Sequence, residues 1–133
     1  METGIRAKRV LVSLANYQMH DSASDHLRPV IDLGLGRPIG SYCNPEPGHE
    51  IVHVFSDGMA WVDNGHENVV RFSEICEMKL SNGKRSEHLI LGTEDRRILL
   101  LPVKGHRGRL YDSLTMLRFI DRVMEDSRER MQS

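Results

Sequence analysis

The chain holds only two cysteines, Cys43 and Cys76, among 133 residues. Two thiols cannot build the disulfide framework of a small secreted domain, and no C-x-x-C pair offers redox or metal chemistry. Both are expected to be reduced and at least partly buried, with a single bridge between them left open. Net charge is scarce as well: 18 Lys and Arg stand against 19 Asp and Glu, leaving −1. So even a balance gives no general pull toward nucleic acid or an anionic membrane. No apolar run approaches the ~20 residues of a membrane-spanning helix. The apolar stretch 10–14 is too short for the core of a secretory signal. A cytoplasmic protein is expected.

The usual catalytic signatures are also missing. There is no G-x-S-x-G and no P-loop. "GLGRPIG", from Gly34, spaces its glycines G-x-G-x-x-x-G and so misses the dinucleotide fingerprint by one residue. It neither follows a clear strand nor opens a clear helix. Glu74, Glu77, Glu87 and Asp95 are scattered over turns and strands, with nothing to pair them for acid–base work. No catalytic residue, cofactor or metal ligand is assigned, and the chain is not expected to be an enzyme. Repeats and low-complexity tracts are absent too.

One motif does make a specific chemical offer. His49-Glu50-Ile51-Val52-His53 spells H-E-x-x-H, the zinc-metalloprotease pattern. It works only on a helix, where residues i and i+4 share one face and can converge on a metal. On a strand the same two positions lie roughly 13 Å apart. Pro45, Pro47 and Gly48 precede the motif and Asp57-Gly58 follows it closely. The run Ile-Val-His-Val-Phe favours a strand. A strand is therefore predicted, with His53 half-buried beside Ile51 and Phe55 and no shared metal.

What remains is a pattern of strands. With 28% charged and 39% hydrophobic residues, the chain reads as one ordinary globular domain. In residues 1–48, "RVLVSLA" suggests a strand, and prolines 29, 38, 45 and 47 with glycines 34, 36, 40 and 48 exclude a long helix. Short elements are expected near 27–35 and 39–43. Asp57-Gly58 between two β-favouring runs predicts a hairpin. A further strand is expected at 75–80, then an Asn82-Gly83 turn. "EHLILGT" and "ILLLPV" about "EDRR" make a second hairpin. Leu89, Leu91, Ile98, Leu99, Leu100 and Leu101 are expected in the core. From Asp112 or Ser113 as cap, a helix should carry Leu110, Leu114, Leu117, Ile120 and Met124 on its apolar stripe, widened by Met116 and Val123, and fray after Ser127.

"VHVFSDGMAWVDN", "VVRFSEICEMKL", "HLILGTEDRRILLLPV" and "LYDSLTMLRFIDRVMED" together resemble the pleckstrin-homology (PH-like) superfold across about residues 49–127. The resemblance implies an α+β fold: a bent antiparallel β-sheet or roll capped by one C-terminal amphipathic helix. Residues 1–48 would be an irregular N-terminal extension packed on the same domain, and 128–133 a frayed C-terminus. Trp61 is expected in or near the core, where its indole N–H needs a partner.

PH-like folds host many binding roles. In scale and style the chain is similar to bacterial immunity proteins of toxin systems, some of which have PH-like folds. That similarity implies a non-catalytic module that neutralises a cognate toxin or effector domain by occlusion. The alternatives are an anionic-lipid or phosphoinositide module, through basic stretches such as "KGHRGR", and a secretion chaperone or adaptor. The residue types suited to anchoring a partner are Tyr42, Trp61, His66, Glu67, Arg85, Arg107, Arg109 and Tyr111. A protein partner is expected and nucleic acid is not. Exposed sheet edges leave a homodimer open.

Overall fold

The computed structural model describes residues 2–11, 14, 17–19, 34–44, 50–63, 65–80, 88–103 and 110–132. Two antiparallel sheets and two helices make an α+β fold. A helix, α1 (Thr3–Val10), comes first. Five strands follow: β1 (Tyr17–Met19), β2 (Pro38–Cys43), β3 (Ile51–Phe55), β4 (Gly58–Asp63) and β5 (His66–Arg71). They form one sheet in chain order. A single 3-10 turn, Phe72–Glu74, leads into β6 (Ile75–Leu80), β7 (His88–Thr93) and β8 (Ile98–Pro102), the second sheet. The chain closes with α2 (Leu110–Gln132).

Strand period sets the inner face of the first sheet. Tyr42, Val52 and Trp61 are partners on one rung, and Gly40, Val54, Met59 and Val70 on the next. From the second sheet Leu89, Leu91 and Leu101 face them. Met116, Phe119, Ile120 and Val123 of α2, at spacings of three and four, complete the core. Phe72, on the 3-10 turn, meets Phe119 edge-on at 6.0 Å between ring centres. A smaller cluster of Leu35, Phe55 and Ala60 lies apart from it.

Both expected hairpins are present, as is the strand at Ile75–Leu80. The glycine of Asp57-Gly58 has an unexpected role. Gly58 does not have positive φ. A Cβ there would lie 2.2 Å from the Val70 carbonyl oxygen, so the position demands glycine for close approach to β5.

Several expectations are corrected. The strand expected at "RVLVSLA" is corrected at its start: Arg9 and Val10 end helix α1, while residues 12, 13 and 15 lie outside the described residues. Thr3, Ala7, Val10 and Leu11 share one helical face and are buried or half-buried, and α1 packs against α2. Tertiary burial outweighs the β propensity of Val10. The part of 1–48 that is described is no irregular extension: β2 sits inside the first sheet, between β1 and β3. The short element expected near 39–43 is that strand, while 27–33 lies outside the described residues. β5 adds a strand the sequence did not suggest. In α2, Asp112 and Ser113 lie inside the first turn instead of capping it, and the helix runs on to Gln132 past Ser127. Leu114, placed on the apolar stripe, is 43% exposed, because the buried stripe centres on Phe119 and Ile120.

Candidate functional site

The partner-anchoring residues expected from sequence are not brought together. Tyr42 and Trp61 are fully buried. The Tyr42 hydroxyl donates to Asp112 Oδ2 at 2.6 Å, tying β2 to α2. The Trp61 indole N–H donates to the Leu100 carbonyl at 3.1 Å. Both side chains belong to the core and offer no surface, which corrects their assignment as contact anchors. His66 and Glu67 are exposed at the start of β5. Successive strand positions send them to opposite faces. Arg85, Arg107 and Arg109 lie outside the described residues, as does the side chain of Tyr111, which opens α2.

The zinc motif enters a strand at Ile51. His49 lies outside the described residues, but Ile51–Phe55 is a strand. His53 Nδ1 lies 3.2 Å from Ser41 Oγ on the neighbouring strand β2, and Ser41 is buried. That contact is a tie between strands. Among the described residues no cluster of three His, Cys, Asp or Glu could hold a metal. Cys43 and Cys76 are free thiols, and Cys76 is exposed where burial was expected.

The feature that stands out is the outer face of the second sheet. Ile98 is 74% exposed and Leu100 47%, both on β8. Leu99 and Leu101, between and after them, turn inward. The sequence reading that sent all four to the core is therefore corrected for Ile98 and Leu100. Cross-strand register places Glu77, Gly92 and Ile98 on one outward rung and Lys79, Ile90 and Leu100 on the next. Glu77 and Lys79 are exposed and Ile90 is half-buried. The Glu77 carboxylate leans over Gly92: a Cβ there would stand 3.5 Å from Oε2. The face is thus apolar along β8 and charged along β6, with the Glu77 side chain lying over Gly92.

This face is held rigidly. Trp61 binds the Leu100 carbonyl, and Asn44 Nδ2 donates to the Pro102 carbonyl at 2.8 Å. Two carbonyls of the β8 edge are thereby occupied by side chains reaching over from the first sheet, so this edge is a poor template for another strand. At the other end, the turn between β7 and β8 is clamped by Arg97. Its guanidinium donates to Asp95 at 2.9 Å and to Glu74 at 2.7 Å. Thr93 and Arg97 hold the Asp95 carboxyl below its usual range, the Thr93 hydroxyl contributing most. Arg96 in this turn has φ 66°, a left-handed conformation uncommon for a side chain of its size.

Comparison of the chain with protein-family models, with curated proteins and with solved structures finds no match. No helix among the described residues is long and apolar enough to cross a membrane.

Proposed function

We propose that the chain is a non-catalytic protein-binding module that meets its partner through the outer face of β6–β8. The observation that carries this reading is the pair Ile98 and Leu100, exposed side by side on a strand whose backbone is pinned from behind. Exposing two large aliphatic side chains on one face has no benefit to folding. An apolar centre with charged groups beside it is the usual make-up of a protein contact surface. The strand order, the two sheets and the closing helix support the PH-like reading of the chain.

Occlusion of a toxin domain, as by immunity proteins, is the form of this function we favour. It needs a rigid surface and no chemistry, and the clamped β7–β8 hairpin suits it. A secretion chaperone or adaptor would use the same kind of surface. The lipid reading is less well supported. Its basic stretch "KGHRGR" lies outside the described residues; among those described, Arg97 is paired with two carboxylates and the exposed face carries one acid beside one base.

The test is capture of the tagged chain from its native host. One polypeptide retained near stoichiometric amounts at high salt supports the reading and names the partner. Binding to anionic vesicles with no polypeptide retained would overturn it, as would turnover of a substrate by the purified chain.

A further inference from the structure

The inference rests on the reading of this face as a protein-binding surface, and it names an occupant. We propose that the outer face of β6–β8 binds the same face of a second copy of the chain, as a two-fold symmetric pair.

The face presents two outward rungs, Glu77–Gly92–Ile98 and Lys79–Ile90–Leu100. A C2 contact uses one patch twice, so the patch must be complementary to itself. Let the two-fold axis lie between the facing sheets, across the strands and midway between the rungs. Each rung of one copy then sits on the other rung of its mate. Glu77 meets Lys79, Gly92 meets Ile90, and Ile98 meets Leu100. Acid faces base and apolar faces apolar. Both matches follow from a single axis. Running the axis along the strands instead would set Glu77 and Lys79 against Ile98 and Leu100, desolvating charges without partners.

Two further observations favour this occupant. Glu77 and Lys79 are exposed, and among the described residues neither is engaged in an ion pair. Edge-to-edge pairing through β8 is disfavoured because Trp61 and Asn44 hold two of its edge carbonyls. The face, more than this edge, is what a second copy can use. Facing sheets pack about 10 Å apart with interdigitating side chains. Three strands at about 4.8 Å spacing make a patch on the order of 15 Å across. That is small for a permanent interface, so the pair is a transient one. A foreign partner on this face must displace the second copy.

Sedimentation equilibrium of the purified full chain, from about 1 µM to about 1 mM, tests this. The mass should rise from the 15.2 kDa of one chain toward twice that. Glu77→Lys and Lys79→Glu should each weaken the pair about tenfold by setting like charges opposite. The double variant E77K/K79E should return to within a few-fold of the wild type, and Ile98→Glu should abolish the pair. Unchanged thermal melting of the variants keeps folding out of the comparison. A wild type that stays monomeric overturns the proposal, as does a pair indifferent to these changes. If the wild type is monomeric but Ile98→Glu still loses a captured foreign polypeptide, the second copy is ruled out while the reading of the face as a protein surface stands.

Discussion

Trp61, on β4 of the first sheet, reaches the second sheet through one hydrogen bond: its indole Nε1 donates to the carbonyl of Leu100 at 3.1 Å. The ring is 1% exposed, while the Leu100 side chain, on the far side of the same strand, is 47% exposed. The largest core side chain thus fixes the backbone of a residue that faces solvent. Core and surface are linked at one peptide group.

Trp61→Phe keeps most of the ring's packing and removes the donor. The Leu100 carbonyl loses its partner, and the variant should lose about 1–3 kcal/mol in urea unfolding. Trp61→Ala adds a cavity and should cost about 3–5 kcal/mol. A Phe variant as stable as wild type would mean that the hydrogen bond contributes nothing.

Arg6 of α1 grips Asp126 of α2 in a two-pronged ion pair, at 2.8 and 3.0 Å. Both side chains are largely withdrawn from solvent, 19% and 6% exposed. Removing one partner takes this ion pair from the other, still largely buried, side chain. Asp126→Ala should therefore cost about 3 kcal/mol, while the double variant R6L/D126L should cost clearly less. Chemical denaturation of the three proteins decides it, and equal losses in single and double variants would contradict a pairing role.

The Tyr17 hydroxyl is buried and has no hydrogen-bond partner among the described residues. Burial raises its pKa well above the ordinary phenol value. Tyr17→Phe should be neutral or stabilising by up to about 1 kcal/mol, because an unmet polar group is removed. The pH sign follows from the raised folded value. The contribution is fully present below about pH 10, where the unfolded chain keeps its phenol protonated, and is lost as pH rises beyond that. The Phe variant should show a shallower alkaline loss in melting temperature.

Asp95 shifts the other way. Its carboxyl is held below its usual range, first by Thr93 and then by Arg97. What it contributes is present above about pH 4 and is lost as pH falls through the folded value. Melting curves of Asp95→Asn should therefore show a flatter acid limb than wild type, with the two converging at low pH. Asp95 is exposed, so the effect is small.

How much of this was legible in the sequence differs by element. The strands around Asp57-Gly58 and around residues 94–97 were readable because turn residues separate β-favouring runs. α1 was not, since Val10 and Leu11 read as strand until α2 is there to cover them. β5 was missed because His66-Glu67-Asn68 hides a strand that is exposed at its start. Trp61 showed the need for a partner but not its identity, which only the approach of β8 supplies. "ILLLPV" is the most instructive segment. Hydrophobicity alone places Ile98, Leu99, Leu100 and Leu101 inward, whereas a period of two on a strand with one solvent face turns Ile98 and Leu100 out. That alternation was the available signal for the candidate site.

The central claim is that the outer face of β6–β8 binds protein, and it is tested most directly by capture with surface variants. The tagged wild type should be compared with the double variant I98D/L100D and with Val62→Asp. Val62 is 54% exposed on the first sheet, so it controls for adding a charge at an exposed apolar position. The account expects the captured polypeptide to be retained by Val62→Asp and lost by the double variant. Retention by both, with all three proteins folded, would contradict it.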